Sequence, residues 1–282
     1  MNFEDKQIEG GKTGLKGLRI LHPVYGPRNN LVAFVHALKL AQISKGELEI
    51  VDVRSEEEAL EHIGVRSVLE RWGVLDKGSH RSDVEEIGLK VKKIVREGNK
   101  RKEIVRRIDK HTHDMMVIGV PVHKSSSGIL LRDLCEHLAE HFHQQTLFIP
   151  VEGRSIVDEQ TGLLSLETVL IPIADQNFYD IAINALRMLL GYFPSATPSV
   201  VGLHAGAGFP GISKVSIEGT RWIQALRSEP LIDSIQEAAH SFKADLIIMA
   251  TRGRSTLLHK FTGSFTEQVV RVSPCPVLSV SV

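Results

Sequence analysis

Short continuous apolar runs alternate along this chain with longer segments whose apolar residues recur at helical spacing. The runs that predict strands covered on both faces are TVLIPI (168–173), SVVGLHA (199–205), DLIIMA (245–250) and PVLSVSV (276–282). A further strand with irregular edges is predicted within KVSIEGTRWIQAL (214–226), and NFYDIAINALRMLLGYF (177–193) predicts a helix. This alternation is typical of βαβ units, which build a parallel sheet.

Two later helices have recognisable boundaries. Pro230 is predicted as the first helical residue after Glu229, because proline is tolerated where no backbone donor is needed. The apolar face of that helix consists of Leu231, Ile232, Ile235, Ala238, Ala239 and Phe242. A last helix is predicted to begin near Ser264 and to end before Pro274.

The chain contains one pattern twice. LRILHPV (18–24) matches ETVLIPI (167–173), and DMMVIGV (114–120) matches DLIIMAT (245–251). The offset is 149 residues at the first pair and 131 at the second, so the first copy carries 18 extra residues, which we place in the charged stretch 54–86. An internal repeat of this size indicates one domain written twice.

We therefore divide the chain into a first domain (1–152), a connector (153–166) and a second domain (167–282). In the connector, SIV and LLSL flank DEQTG, which has turn chemistry and predicts a β-hairpin. The stretch 54–86 is predicted to be an exposed insertion, helical around RSVLERWGVL, with Trp72 anchoring it or a partner.

Composition narrows the class of protein. Lys+Arg and Asp+Glu both total 34, which argues against a nucleic-acid partner and against an acidic tail. No signal peptide or membrane-spanning run is apparent, and Cys135 and Cys275 form neither a disulfide framework nor a CxxC pair. We expect a cytoplasmic protein with inert, packed thiols and no membrane partner.

The segment ATRGRSTLLHKFTGSF (250–265) follows an apolar strand and leads into the last helix. Gly253 allows close approach of the backbone to a ligand, and Gly263–Ser264 place free N–H groups and a hydroxyl at a helix N-terminus, which favours an anion. Arg252 and Arg254 could add positive charge. The alternative is that Ser264 only caps the helix, in a capping box with Glu267.

This segment and the PCPV turn after it (274–277) resemble the C-terminal half of a universal stress protein domain, whose signature is G-x2-G-x9-G-[ST]. Here the signature stands as Ala250-x2-Gly253-x9-Gly263-Ser264. The repeat extends the resemblance over nearly the whole chain, to the tandem type of that family. It implies two open, mainly parallel five-stranded α/β domains with helices on both faces, Rossmann-like in organisation.

Many members of that family bind ATP without fast turnover, so the resemblance implies an adenine-nucleotide site in the second domain. The positions that match the family's contacts are Pro172, Ile173, Ala174, Asp175, Leu203, Met249, Ala250, Gly253, Arg254, Gly263, Ser264, Phe265 and Thr266. Leu203 would contact the base and the acid would lie by the adenosine. Two departures are that Ala250 replaces the first glycine and that Asp175 comes one residue late.

The first domain has lost these features. Gly119, Val122, Arg132 and Asp133 stand where the second copy has Ala250, Gly253, Gly263 and Ser264, and Asp133 would repel a phosphate. Tyr25 or Gly26 stands in place of the first-strand acid. HKSSSG (123–128) is a substitute loop that could hold another anion. We predict that this domain is a structural partner.

Two histidine-rich segments are candidate sites. His137 and His141 are one turn apart, a spacing used by zinc sites, with Cys135 and His143 nearby, but the matching helix of the second copy is plain, and we predict no metal. HTH (111–113) is predicted to lie on a surface loop before the strand that contains Met115 and Met116, which are predicted to be core.

Three functions remain open. The first is a stress-response protein that holds ATP, or AMP or ADP, with Mg²⁺ accompanying ATP. The second is a scaffold that acts through protein contacts without nucleotide, and the third is a slow ATPase; no Walker A, GxSxG or HExxH motif occurs. The final strands leave edges that we expect to pair within the chain as an internal pseudo-dimer, and two chains could also associate as a homodimer.

Overall fold

The structure is a computed structural model that describes residues 16–24, 31–54, 64–120, 145–213, 217–228, 230–251 and 265–281. The elements of the first half are β1 (Arg19–Val24), α1 (Leu31–Ile43), β2 (Glu47–Arg54), α2 (Val65–Arg71), α3 (Arg81–Glu86), β3 (Lys90–Glu97), α4 (Lys100–Lys110), β4 (Met115–Val120) and β5 (Gln145–Pro150). Those of the second half are β6 (Thr168–Pro172), α5 (Gln176–Tyr192), β7 (Ser199–Ala205), β8 (Arg221–Arg227), α6 (Leu231–Ser241), β9 (Leu246–Thr251), α7 (Phe265–Val272) and β10 (Val277–Ser281).

The ten strands form one sheet in the order β3-β2-β1-β4-β5-β10-β9-β6-β7-β8. Each half contributes five parallel strands, and the second half runs through its strands in the reverse spatial order of the first. The halves meet where β5 and β10 pair antiparallel, with Phe148 opposite Val277 and Leu147 opposite Leu278. The expected α/β fold with mainly parallel five-stranded units is therefore confirmed.

Helices cover both faces of the sheet, because successive residues of each strand point to opposite faces. Ile20 joins a core cluster that contains the buried residues of α1 and α5, whereas its neighbour Leu21 joins a second cluster that contains those of α6 and α7. The predicted core residues Met115 and Met116 likewise divide between the two clusters. Strands buried on both faces explain why the sequence shows continuous apolar runs.

One hydrogen-bond arrangement recurs in both halves and supports the repeat. Asp114 begins the turn into β4, and its carboxylate accepts from Arg19 N at 2.8 Å. Asp245 occupies the matching place before β9 and accepts from Thr168 N at 2.9 Å. In each case the aspartate N–H donates back to the carbonyl of the same strand residue at 2.8 Å. Each aspartate thus fixes the start of its fourth strand against the first strand.

The insertion is more buried than the sequence suggested. Val68 and Leu69 of α2 are fully buried and Val84 of α3 is 4% exposed, all within the core cluster of α1. The prediction of an exposed segment is therefore wrong for these residues, because both short helices turn an apolar side onto the body of the domain. Helix α2 agrees with the predicted helical stretch.

Trp72 follows α2 and holds the connector. Its indole N–H donates to the Glu159 carbonyl at 3.1 Å, and its ring lies so close to Gly162 that a Cβ there would be 2.4 Å from the indole. The connector folds back at an isolated antiparallel bridge between Val157 and Leu164.

Helix boundaries differ from expectation by one residue. Helix α6 begins at Leu231, because Pro230 has an extended ψ of 144° and stands as the capping residue. Among the residues described, no helix is both long and apolar enough to cross a membrane.

Candidate functional site

The carboxyl ends of β6, β7 and β9 lie side by side, and β6 and β9 flank the point where the strand order reverses. In the described residues, the ladder between β6 and β9 covers only the pairs Val169–Leu246 and Leu170–Ile247. By contrast, five residue pairs join β9 to β10 and five join β6 to β7. The two central strands thus part before their carboxyl ends, at the place where open parallel sheets bind ligands.

The end of β6 is fixed by β7. Pro172 is in register with Leu203, and Ile173 N donates to the Leu203 carbonyl at 2.7 Å. The Ile173 carbonyl accepts from His204 Nδ1 at 2.8 Å, so this hydrogen bond places the proton of a neutral imidazole on Nδ1. Ile173 and Leu203 are buried, whereas Ala174 is exposed.

Asp175 caps helix α5. Its carboxylate accepts from Phe178 N at 3.1 Å, and its backbone is extended, with φ −154° and ψ −178°. The aspartate that the resemblance places beside the adenosine therefore also satisfies a backbone donor at a helix start. It lies one residue beyond Ala174, at the turn from strand to helix.

Gly202 on β7 allows a tryptophan to lie across the strand. A Cβ at this position would be 2.4 Å from Trp222 Cζ2 and 2.8 Å from Ile173 Cδ1. The Trp222 ring meets the buried Tyr179 ring edge-on, with centroids 5.5 Å apart. These contacts pack β7, β8 and α5 together beneath the strand ends.

The loop after β7 is held against the start of α5. The Gln176 side chain accepts from Ser213 N at 2.7 Å and donates to the Ser213 carbonyl at 3.3 Å. Phe209 of the same loop lies edge-on to the His204 ring, with centroids 6.1 Å apart. This loop therefore forms one wall beside the ends of β6 and β7.

The other side of the candidate site is built by β9 and α7. Met249 is 3% exposed, and Ala250 beside it is partly exposed and pairs in register with Val280. Phe265 and Thr266 begin α7 and are partly exposed. Gly253, Arg254, Gly263 and Ser264 lie outside the described residues, as does Arg252.

The glutamate of the predicted capping box has a partner within its own helix. Glu267 is 6% exposed, and its Oε1 lies 2.7 Å from Arg271 Nη2, one turn along α7. The serine half of that box lies outside the described residues.

The first half can be compared only in part. Gly119 is a buried residue of β4, whereas Tyr25, Gly26, Val122, Arg132, Asp133 and the loop 123–128 lie outside the described residues, as do Cys135, His137, His141 and His143. In the residues described, no cluster of three or more His, Cys, Asp or Glu side chains could hold a metal ion. Cys275 is fully buried, and burial raises the pKa of its thiol to about 12, so it is an inert packing residue.

The surface prediction for HTH is wrong at His113. This side chain is only 5% exposed, and its Nε2 lies 3.5 Å from Glu49 Oε1, whereas His111 is exposed. Sequence reasoning missed the buried polar cluster around Glu49. A signal was present, because Glu49 interrupts the apolar pattern of β2 where the second copy has Val201.

A fold of this kind, with a crevice between its first and fourth strands, is that of open, Rossmann-like α/β proteins. Comparison with family models is more specific: the model of the universal stress protein family matches residues 18–150 and 214–281. The chain therefore belongs to the universal stress protein family.

Individual relatives are more distant or shorter in extent. A universal stress protein of Thermus aquaticus is 48% identical over 48 residues, which are 17% of this chain and 35% of that protein. The crystal structure of a universal stress protein from Archaeoglobus fulgidus covers 95% of this chain and 97% of its own, with 17% identity and a TM-score of 0.61. A Pseudomonas aeruginosa protein described as functionally unknown covers 96% and 95%, with 12% identity and a TM-score of 0.59. These likenesses show the fold of the whole chain.

Proposed function

We propose that this universal stress protein binds ATP in its second domain (167–282) and acts in a cytoplasmic stress response. The observation that carries the proposal is that β6 and β9 part early at their carboxyl ends and that β9 leads into the segment with Gly253, Gly263 and Ser264. The strands β1 and β4 part in the same way in the first half, but the segment after β4 has Val122, Arg132 and Asp133 at the matching positions. The segment 250–265, with its two glycines, begins in the last two residues of β9 and so starts at this edge.

In this proposal the strand ends hold the nucleoside and the loop holds the phosphates. Pro172, Ile173, Ala174 and Asp175 face the adenosine, with Leu203 at the base. Met249 and Ala250 flank the phosphate chain. The residues that bind the phosphates are Gly253, Arg254, Gly263, Ser264, Phe265 and Thr266, through backbone N–H groups, a hydroxyl and the start of α7. Mg²⁺ would accompany ATP, and AMP or ADP would compete for the nucleoside contacts.

We further propose that the first domain (1–152) is a structural partner and that the connector (153–166) joins the two as a pseudo-dimer. The antiparallel pairing of β5 with β10 supports this organisation, because it joins equivalent strands of the two halves. Because the first domain is a structural partner in this proposal, one nucleotide site per chain is expected. A homodimer would have to form through a surface other than the β5–β10 junction.

Calorimetry with ATP tests the proposal. Gly263→Val combined with Ser264→Asp should abolish ATP binding and leave the circular dichroism spectrum unchanged, since the valine fills the cradle and the aspartate repels phosphate. The matched control is Arg132→Val, at the position of the first domain that corresponds to Gly263, which should leave affinity unchanged. Undiminished affinity in the double variant would overturn the proposal.

A scaffold without nucleotide is the second candidate, and one observation favours it. Asp175 caps its own helix, so its presence is explained without a ligand. Absence of both heat and thermal shift with millimolar ATP would support the scaffold. A slow ATPase is the third function, and it would release phosphate from ATP. The variant Asp175→Asn, which keeps an acceptor for Phe178 N, should abolish that release.

A further inference from the structure

A polar pocket lies in the first half, at the amino ends of β1, β2 and β3. Because β5 and β10 pair antiparallel, this is the same edge of the sheet as that of the proposed nucleotide site, but in the other half. The pocket has a volume of about 150 Å³. Its walls come from three strands, the end of α4 and the segment before β4. The charged and imidazole side chains that line it are those of Arg19, Glu47, Glu49, Lys92, Arg107, His111 and His113.

Glu49 stands at the base of the pocket and is 3% exposed. Arg107 donates to both of its carboxylate oxygens, from Nε and from Nη2, as a bidentate pair. His113 Nε2 is 3.5 Å from one oxygen and Lys92 Nζ is 4.0 Å from the other. Burial raises the pKa of Glu49, but hydrogen bonds and charge from Arg107 and His113 outweigh it and lower the pKa to about 2.

The second half shows what the fold requires at these positions. Arg19 is in register with Glu47 and Thr168 with Ser199, so Glu49 corresponds to Val201. By the same registers and the repeat offset, Lys92 corresponds to Ile223, Arg107 to Ala238 and His113 to Ala244. These four counterparts, Val201, Ile223, Ala238 and Ala244, pack together in one apolar cluster.

A buried cluster of charges is costly, because each group loses its hydration, and apolar residues of similar volume often stabilise a fold more. The second half demonstrates the apolar solution in the same architecture. The charged set of the first half is therefore not needed for folding, and a role in binding would explain why it is present.

Several polar atoms around the pocket have no hydrogen-bond partner in the part of the chain that the structure describes. Within the described residues, His113 Nδ1 and Arg19 Nε are buried and have no hydrogen-bond partner. Lys92 has three donors and only the long contact to Glu49, with half of its side chain exposed. Arg19 Nη1 donates to Thr112 Oγ1 at 2.7 Å, and its Nη2 lies 3.4 Å from Asp114 Oδ1, so Nε is the part of this guanidinium without a partner among the residues described.

Three cations, Arg19, Lys92 and Arg107, face two carboxylates, Glu47 and Glu49, so the lining carries one net positive charge. The pKa of His111 is lowered, first by desolvation and then by the charges of Arg107, Lys92 and His113, whereas Glu49 alone opposes them. A ligand with negative charge would be attracted to this place and would accept from the unused donors.

We propose that this pocket binds a small oxyanion of the size of phosphate, held by Lys92 and Arg19 beside the Glu49–Arg107 pair. The volume suits one such group. The ligand is either the free ion or the terminal phosphate of a monoester that enters from the open side.

The test is a titration with inorganic phosphate, and in a second arm with phosphoserine, at constant ionic strength in chloride buffer. Nuclear magnetic resonance of the histidine ring nitrogens and of the Thr112 amide should show saturable shifts. Equal response to both ligands would assign the site to a phosphate group on a larger molecule, and response to phosphate alone would assign it to the free ion. No saturable shift in either arm would overturn the proposal.

Substitutions by the residues of the second half make the test specific. Lys92→Ile and Arg19→Thr should each lower the affinity for phosphate at least about tenfold, which is the effect of losing one charge-assisted hydrogen bond. Lys93→Ile, at the adjacent exposed position of β3, is the matched control and should change affinity less than about twofold. Unchanged affinity in the Lys92 and Arg19 variants would contradict the assignment.

Phosphate could also bind at the proposed nucleotide site, and one variant separates the two. Gly263→Val with Ser264→Asp should leave the shifts of Thr112 and His113 intact. Loss of these shifts in that variant would show that phosphate binds in the second domain, and it would overturn the assignment of phosphate to the pocket of the first half.

Discussion

Two histidines of the first half are buried as neutral rings. His36 of α1 has its Nδ1 2.6 Å from the Val32 carbonyl, and its Nε2 accepts from Ile156 N of the connector at 3.3 Å. His22 of β1 has its Nδ1 2.9 Å from the Val117 carbonyl. Burial lowers the pKa of each ring to about 4, although the backbone hydrogen bond of each opposes the shift.

We predict that the free energy of unfolding falls as the pH drops from 7 to 5. In the unfolded chain each ring takes up a proton below about pH 6.5, whereas the folded protein resists protonation until about pH 4, so stability is complete above 6.5 and is lost toward 4. Each histidine should contribute about 2 kcal/mol to this loss between pH 7 and pH 5. Urea unfolding at the two pH values measures it.

His36→Gln should flatten that dependence by the share of one histidine, even though the variant is less stable at pH 7. The exposed His240 is the control, and His240→Gln should keep the full pH dependence. A slope unchanged by His36→Gln would show that this ring does not resist protonation in the fold.

At Asp175 the cap and the ligand role can be separated. Asp175→Ala should cost about 1 kcal/mol in unfolding free energy because Phe178 N loses its acceptor, whereas Asp175→Asn should keep stability. If the carboxylate also faces the adenosine, Asp175→Asn should lower the affinity for ATP measured by calorimetry and leave the free energy of unfolding unchanged. Equal stability loss in both variants would contradict the capping role.

At the scale of elements, β7 depends on a missing side chain. Gly202→Ala should lower the free energy of unfolding by about 1–3 kcal/mol, because the added methyl group would overlap Trp222 and the end of Ile173. Thermal unfolding measures the change.

The comparison for that substitution is Gly208→Ala, in the loop after β7. A Cβ at Gly208 meets no atom within 4 Å, so a change of less than about 0.5 kcal/mol is expected. Similar losses at both positions would mean that backbone freedom, rather than contact with Trp222, makes Gly202 necessary.

The strands and helices could be predicted where burial leaves a strong pattern. VLIPI (169–173) and LIIMA (246–250) are apolar throughout because both faces of β6 and β9 are covered. The repeat then identifies β1 and β4 as their counterparts in the first half. Strand β3, KVKKIVRE, carries no such pattern, because it is an edge strand whose residues are mostly exposed.

The candidate site was predictable to a smaller extent. Asp175, Leu203 and Ala250 could be placed at strand ends, since parallel strands share an edge. The contacts of Asp175 with Phe178 and of His204 with Ile173 depend on turn geometry that apolar periodicity does not encode. The Glu49–Arg107 pair joins residues 58 positions apart and could not be found from spacing.

At the scale of the whole molecule, the central β5–β10 pair makes the two halves parts of one sheet. We predict that they unfold in a single cooperative transition, because loss of either half exposes the core residues Phe148 and Val277 at the junction. The two tryptophans report separately, since Trp72 lies in the first half and Trp222 in the second.

Fluorescence of the variants Trp72→Phe and Trp222→Phe, each with one remaining tryptophan, measures this. The two urea midpoints should coincide after correction for the stability of each variant. Phe148→Ala should then shift both midpoints together, by about 3–5 kcal/mol in unfolding free energy. Two separate midpoints would show that the halves are independent.

Because β5 and β10 belong to one polypeptide, each strand meets its partner at a high effective concentration that does not depend on the protein concentration. Their pairing does not weaken on dilution, whereas association of two separate molecules does. The ten-stranded sheet therefore forms equally well at low and at high expression of the protein. The covalent link also fixes which halves meet. A separate single-domain protein would have to displace β5 or β10 from its covalently linked partner. Mixed assemblies with other members of the family at the β5–β10 junction are therefore disfavoured.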